Sequence, residues 1–388
     1  MAATTRDALP AEGTIASPCN TLLVKPVSAR CNLACRYCFY RDRPDDPYSG
    51  LGVRLMSREL LSGLVAQHLR HSPDVAAFAW QGGEPALAGL DFYRQAVAYQ
   101  ARYGASGQLV SNSLQTNGLA LDDEWGRFLA RYRFLVGLSL DGPAEVHDAW
   151  RQDAQGRGSH AQAVAGLRLL RRHGVAANVL AVVHRHSTLD PERLLGFFHD
   201  EGVSRVQFIP ALDRVRGSLA DHAVEPQQYA DFLCALFDAW YNGGRPEVSV
   251  RLFDNLVARA AGLRPEMCEL GGRCDSYVVV EYNGDVYPCD FFVAPEHYLG
   301  NIGQQPLSAI LAAEGRLRFV FAREQVDEEC SECPWLDICA GGCLRYRVAG
   351  EGVLQGRNYL CSATRAILEH AWDRLQLMAS TLPRPYAP

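Results

Sequence analysis

Short apolar runs alternate with amphipathic segments through the first half of the chain. Six of the runs predict β-strands, at residues 21–24, 75–80, 109–115, 134–140, 178–183 and 205–209. The segments between them carry apolar residues at helical spacing. Ser57 is placed as the N-cap of one helix, and Asp190-Pro191 begins another. Strands that alternate with helices in this way predict a parallel α/β sheet joined by right-handed crossovers.

Three cysteines, Cys31, Cys35 and Cys38, follow the first predicted strand at the spacing C-x3-C-x2-C. Three thiolates on one loop can hold three irons of a [4Fe-4S] cluster and leave the fourth iron without a protein ligand. A structural zinc site needs a fourth ligand close by, and no further Cys, His or Asp follows until Asp42. The spacing therefore favours an iron-sulfur cluster with one open iron.

The C-terminal third of the chain is rich in cysteine. Eight cysteines lie there, at Cys268, Cys274, Cys289, Cys330, Cys333, Cys339, Cys343 and Cys361. Asn283-Gly284, between two apolar runs, predicts a β-hairpin within this region. Eight thiolates make two sets of four, and the spacing alone allows two zinc sites as well as two iron-sulfur clusters.

Composition and charge exclude several classes of protein. The net charge of -6 and the isoelectric point near 6.0 argue against a nucleic-acid partner. No apolar run reaches the ~18 residues of a membrane span, and the first residues carry no secretory signal. Residues 1–18 are polar and aperiodic, which predicts disorder. Thirteen cysteines without a secretory signal indicate a reducing cytoplasm and metal sites rather than disulfides.

The cysteine triplet, with Tyr37 before its last cysteine, resembles the signature of the radical S-adenosylmethionine (SAM) enzymes. Together with the C-terminal cysteines, the chain resembles a SPASM-type radical SAM enzyme, and most of all the anaerobic sulfatase-maturating enzymes. The resemblance implies a partial (β/α)6 radical SAM barrel over residues 19–255. A SPASM domain with a hairpin and short helices would follow over 256–365, then a C-terminal helix and tail over 366–388.

The resemblance also implies the cofactors and their sites. SAM and three [4Fe-4S] clusters are expected, with the open cluster on the triplet. By the residue-by-residue match, the first auxiliary cluster is expected on Cys268, Cys274, Cys289 and Cys343, and the second on Cys330, Cys333, Cys339 and Cys361. The positions expected to contact SAM are Tyr37, Gly83, Ser139, Arg151 and Leu212. Asp290, in the context Tyr-Pro-Cys-Asp-Phe, corresponds to the base that acts on the substrate.

The function implied by the resemblance is the oxidation of a Cys or Ser of a sulfatase polypeptide to Cα-formylglycine. The sequence leaves open which of the two is converted. An unfolded sulfatase or another peptide would be the substrate, and a flavodoxin or ferredoxin would be the electron donor of a monomeric cytoplasmic enzyme. The closest alternative is a SPASM enzyme that cross-links a ribosomal peptide, and an alternative of another class is a zinc-stabilised binding protein.

Overall fold

The computed structural model describes most of the chain. The described residues are 19–41, 46–52, 54–186, 190–212, 214–215, 218–347 and 356–382. The disorder predicted for residues 1–18 concerns a segment outside these ranges, as does the end of the predicted C-terminal tail.

All six predicted strands form, and each differs from the prediction by at most one residue at either end. They are β1 (Thr21–Val24), β2 (Val75–Trp80), β3 (Leu109–Thr116), β4 (Leu135–Ser139), β5 (Ala177–Val183) and β6 (Arg205–Pro210). Each strand pairs in parallel with the next along the chain. The predicted parallel α/β architecture is therefore confirmed.

Helices connect these strands. They are α1 (Arg58–His71), α2 (Leu90–Tyr103), α3 (Asp123–Arg131), α4 (Ala144–His147), α5 (His160–Arg172) and α6 (Pro191–Asp200). Two predicted starts are confirmed: the Ser57 hydroxyl accepts a hydrogen bond from the Leu60 amide at 3.1 Å, and the Asp190 carboxylate caps α6 ahead of Pro191. Buried faces of strands and helices meet in one large apolar core.

A second set of elements follows the sixth strand. They are the short pair β7 (Arg214–Val215) and β8 (Ser218–Leu219), then α7 (Pro226–Tyr241), β9 (Ser249–Val250) and α8 (Arg251–Ala260). β9 pairs in parallel with β6. No helix in the described ranges combines the length and apolar character that crossing a membrane requires.

The cysteine-rich region contains the predicted hairpin and short helices. Its elements are β10 (Tyr277–Val280), β11 (Asp285–Tyr287), β12 (Gly300–Asn301), α9 (Leu307–Leu311), α10 (Glu314–Glu324), α11 (Leu336–Cys339) and α12 (Cys361–Thr381). β10 and β11 are antiparallel, and Gly284 in their turn has a φ of +92°. That conformation explains the glycine of the Asn-Gly turn.

The hairpin is also part of the barrel sheet. β10 pairs in parallel with β1, with Val24 opposite Val280. Through this pairing all the named strands except β7 and β8 form one ten-stranded sheet, in the order β12-β11-β10-β1-β2-β3-β4-β5-β6-β9. The sequence pattern predicted the hairpin but not this pairing. The region around Cys289 is thereby fixed against the first strand of the barrel.

Candidate active site

A cavity of about 240 Å³ lies at the carboxyl ends of the barrel strands, where parallel α/β barrels carry their active sites. It brings together most of the predicted open-cluster and SAM residues: Cys31, Cys35, Cys38, Tyr37, Gly83, Ser139 and Arg151. We call it the cysteine-loop cavity, after the loop of residues 31–38. Leu212 is not among its lining residues, because its side chain is buried in the apolar core.

Backbone hydrogen bonds fix the cysteine loop. The Ala34 amide donates to the Gln152 carbonyl at 2.6 Å, and the Arg36 amide donates to the Trp150 carbonyl at 2.9 Å. Burial raises the pKa of the Cys38 thiol to about 11, and the neighbouring Cys35 thiol adds to this shift. Thiolates at such a site need a cation beside them. The donor set, three thiols facing one cavity, fits an iron-sulfur cluster.

Gly82 and Gly83 bring the loop after β2 against the cysteine loop. A Cβ at Gly83 would lie 2.2 Å from the Arg30 carbonyl oxygen and 2.5 Å from that of Ala29. The Gly83 amide donates to the Ser28 carbonyl at 2.8 Å. Glycine is therefore required for close packing of two backbone segments, and this contact sets the position of the cavity wall.

Glu84 ties three loops together. It is completely buried, and its carboxylate accepts hydrogen bonds from the Ala86 amide (2.9 Å), the Thr116 hydroxyl (2.7 Å) and the Asn117 amide (2.7 Å). The Asn117 side chain in turn donates to Asn32 in the cysteine loop at 2.7 Å. Burial raises the pKa of Glu84. Sequence analysis assigned this residue no role.

Arg151 is engaged by a protein carboxylate. Its Nε and Nη2 donate to Asp141 at 3.0 and 3.1 Å, and the Tyr37 hydroxyl also donates to Asp141. Burial raises the pKa of the Asp141 carboxyl, but Arg151, His147 and the hydrogen bond from Tyr37 together outweigh this effect and hold the pKa below its ordinary value. The pair fixes two residues that line the cavity, Tyr37 and Arg151. Two donors of Arg151 are thus already used, and its predicted contact with SAM stays a prediction.

Asp290 lies beside the cavity rather than on its described lining. Its exposed fraction is 2%. Lys25 Nζ is 2.5 Å from Oδ1, while Oδ2 accepts hydrogen bonds from the Tyr40 hydroxyl and from Gln81 Nε2 at 3.2 Å. Tyr40 and Gln81 both line the cysteine-loop cavity. Sequence analysis missed Lys25 and Tyr40, although a lysine directly after an apolar strand is a signal that could have been noticed.

The eight C-terminal cysteines fall into two groups of neighbours, and the assignment of one cluster to each group stays a prediction. Cys330, Cys333, Cys339 and Cys361 line one cavity of about 280 Å³. In the other set, burial raises the pKa of Cys274 and of Cys343 to about 12. The Cys343 thiol adds to the shift of Cys274, and the Cys268 thiol adds to the shift of Cys343. Cys289 belongs with them, since Cys343 and Cys274 both raise its pKa in addition to burial. Each set is large enough to saturate one four-iron cluster.

A larger cavity of about 1000 Å³ occupies the interior of the barrel. It shares Gln81, Gln115 and Leu180 with the cysteine-loop cavity. The interior of a closed eight-stranded barrel is filled by branched apolar side chains, whereas Ser113, Gln115 and Gly137 line this one. The two cavities therefore lie next to each other, on either side of Gln81, Gln115 and Leu180.

Comparison with known proteins agrees with this geometry. The radical SAM superfamily profile matches residues 26–198, and the SPASM iron-sulfur cluster-binding domain matches residues 268–334. The cysteine-type anaerobic sulfatase-maturating enzyme of Clostridium perfringens is 35% identical over 369 residues, covering 93% of this chain and 99% of the relative. The serine-type enzyme of Bacteroides thetaiotaomicron is 35% identical over 390 residues, covering 95% and 93%.

Solved structures show the same relationship. Native anSMEcpe with bound AdoMet and the Cp18Cys peptide superposes with a TM-score of 0.86 at 34% identity, covering 93% of this chain and 99% of that one. Streptococcus suis SuiB bound to the precursor peptide SuiA, at 16% identity and a TM-score of 0.65, shares the fold. Because the similarity to the maturating enzymes spans both the barrel and the cysteine-rich region, this chain belongs to the radical SAM superfamily and, within it, to the anaerobic sulfatase-maturating enzymes.

Proposed function

We propose that this protein oxidises a Cys or Ser side chain of a sulfatase polypeptide to Cα-formylglycine, using SAM and three [4Fe-4S] clusters. The observation that carries the proposal is the cysteine-loop cavity, in which three thiols and four predicted SAM-contacting residues converge beside Asp290. Similarity to both cysteine-type and serine-type relatives over nearly the whole chain supports it.

The cofactors are assigned to residues that the geometry groups. Cys31, Cys35 and Cys38 would hold the open cluster, and the two C-terminal sets would hold the auxiliary clusters. Tyr37, Gly83, Ser139 and Arg151 would line the SAM site, with Leu212 behind it. When bound, these groups supply one-electron chemistry that removes a hydrogen atom from the substrate Cβ.

The chain itself would orient the substrate and move one proton. Asp290 would accept the proton of the substrate thiol or hydroxyl at Oδ2, the oxygen that Tyr40 and Gln81 hold toward the cavity. A buried carboxylate with fixed hydrogen-bond partners keeps one orientation, which general-base catalysis requires. The barrel cavity, which shares Gln81 with the cysteine-loop cavity, would receive part of the peptide chain.

We further propose that a flavodoxin or ferredoxin supplies electrons and that the enzyme works as a monomer in the cytoplasm. None of the thirteen cysteines, all of which lie within the described residues, is in a disulfide, and a reducing compartment would keep the cysteines available as cluster ligands. Size-exclusion chromatography tests whether the enzyme is a monomer, and reduction by each purified donor tests which protein supplies the electrons.

The main experiment uses two peptides that differ only in Cys or Ser at the target position. Anaerobically reconstituted enzyme, SAM and a strong reductant are expected to convert at least one of them to an aldehyde, detected by mass and by hydrazine derivatisation. A cross-linked product that retains its sulfur would instead identify a peptide cross-linking enzyme. No change in either peptide, with 5'-deoxyadenosine still released, would refute the proposed substrate.

Asp290→Asn tests the base. The variant is expected to keep its iron content and its affinity for SAM, and to lose formylglycine formation by about 100-fold or more, as removal of a general base does. Asp123→Asn, at an exposed ion pair on α3, is the matched control. Full turnover by Asp290→Asn would overturn the assignment.

A further inference from the structure

Lys25 is the only lysine among the 388 residues, and every other cationic side chain in the Lys and Arg total of 38 is arginine. It is also one of the most deeply buried charged residues, with an exposed fraction of 2%. A lysine ammonium is compact and has three donors, whereas a guanidinium is a wide planar fork. The chain thus places its one lysine where a small buried cation is required.

The sheet positions Lys25 between two carboxylates. It directly follows β1, and its amide donates to the Val280 carbonyl at 2.9 Å, which continues the pairing of β1 with β10. This register brings Glu281, the residue after β10, beside it, with Lys25 Nζ 3.2 Å from Glu281 Oε1. On the other side Nζ is 2.5 Å from Asp290 Oδ1. The ammonium also lies 4.6 Å from the centre of the Tyr40 ring.

The two oxygens of the Asp290 carboxylate have different partners. Lys25 contacts Oδ1, whereas Tyr40 and Gln81, which line the cysteine-loop cavity, contact Oδ2. The two oxygens are equivalent, so a half-turn about the last bond restores the same contacts, whereas any smaller rotation would weaken the contacts at both ends. The contact at Oδ1 therefore fixes the angle at which the other oxygen is directed toward the cavity.

The lysine remains a cation at this buried position. Burial opposes its charge, but Asp290 and then Glu281 outweigh this effect and hold the pKa of Lys25 above its ordinary value. Removal of one partner from a buried ion pair leaves an uncompensated charge. The formal charges of the ammonium and the two carboxylates beside it sum to a single negative charge.

We propose that Lys25 is a positioning residue of the reaction, whose ammonium holds Asp290 Oδ1 so that Oδ2 faces the substrate. This inference rests on the proposed function, in which Asp290 is the base. Lys25 acts from the barrel, and Asp290 belongs to the cysteine-rich region. The pair thus joins the two parts of the active site.

The first test is Lys25→Met, which keeps an unbranched side chain that is one atom shorter and removes the charge. Formylglycine kcat is expected to fall about 100-fold, the loss typical of a misplaced catalytic group. The peptide KM is expected to stay within about twofold, because Lys25 contacts the base and not the substrate. Arg168→Met, which removes a cation from the exposed pair with Glu201, is the matched control and should leave kcat unchanged. A Lys25→Met variant with wild-type kcat would overturn the inference.

A charge-matched variant covers the case in which Lys25→Met does not fold. Lys25→Met combined with Glu281→Gln restores the single negative charge of the trio, and it should fold, keep its iron content and still lose kcat about 100-fold. Recovery of wild-type kcat in this variant would show that charge balance, and not the contact to Oδ1, is what matters.

A double-mutant cycle separates positioning from general structural support. If Lys25 acts only through Asp290, then Lys25→Met should cause no further loss of kcat in the Asp290→Asn background. Additive losses would contradict the inference.

A crystal structure of Lys25→Met gives a result that does not depend on turnover. The Asp290 carboxylate is expected to leave the Tyr40 hydroxyl and Gln81, and an unchanged carboxylate would refute the inference. Wild-type enzyme that makes no aldehyde would refute the proposed function alone, since the crystal structure would still decide the role of Lys25.

Discussion

Asp141→Asn tests whether the buried pair behind Tyr37 and Arg151 holds the cysteine-loop cavity in place. Asp141 is fully enclosed and accepts hydrogen bonds from Arg151, from the Tyr37 hydroxyl and from the Val182 amide at 2.9 Å. Asparagine keeps the shape of the side chain but removes its charge and turns an NH₂ group toward these donors. The side chain of Arg151 is only 9% exposed, so water cannot replace the lost carboxylate.

The expected loss of stability follows from this environment. Breaking a buried ion pair by removal of one partner costs about 3–5 kcal/mol, a large share of the ~5–15 kcal/mol by which native proteins are stable. The cavity wall formed by Tyr37 should shift as well, so the affinity for SAM is expected to fall together with stability.

Guanidinium unfolding under anaerobic conditions, followed by circular dichroism, measures the first effect through the midpoint. Equilibrium dialysis with SAM measures the second. Asp123→Asn removes the same charge from the exposed pair with Arg172 and should leave the midpoint unchanged. The reasoning is refuted if the two variants unfold at the same denaturant concentration.

Three further predictions concern other parts of the molecule. Burial lowers the pKa of His68 from 6.5 to about 4. As the pH falls through this range, only the unfolded chain takes up a proton, so stability decreases. His68→Gln should therefore lose less stability than wild type between about pH 7 and pH 5, and equal losses would contradict this. Gly83→Ala forces the two loops apart and should weaken SAM binding about tenfold or more in dialysis, whereas Gly63→Ala, with open space around its Cβ, should not. Replacement of both Cys330 and Cys361 by Ala leaves only two thiols in the second set and should lower iron per chain by about a third, one cluster of three, and Cys19→Ala should not; unchanged iron in the double variant would exclude this set as the ligands of a cluster.

Local sequence patterns predicted the strands well because buried parallel strands and amphipathic helices differ in period and length. The strand that ends at Val24 and the helix that begins after Ser57 illustrate this, since each is determined by neighbours a few residues away. The division of the C-terminal cysteines into two cluster-binding sets was inferred from a family resemblance, because the spacing alone also allowed zinc sites.

Contacts between distant segments could not be predicted from local pattern. Nothing near Val24 indicates that it pairs with Val280, and nothing near Asp290 indicates that Lys25 contacts it. Arg151 has the chemistry of a carboxylate-binding residue, but whether the carboxylate belongs to a ligand or to Asp141 depends on how the loops fold together. The position of Leu212 in the apolar core likewise depends on how distant segments pack, so local pattern could not predict it.

The pairing of β1 with β10 limits how this architecture can be recombined. A shortened chain that ended before the hairpin would leave the backbone groups of β1 unpaired at a sheet edge, which invites aggregation. A hybrid that received its cysteine-rich region from another protein would need a donor strand of matching register, together with an acidic residue opposite Lys25. Protein engineers should therefore take the barrel and the iron-sulfur region together from the same parent protein.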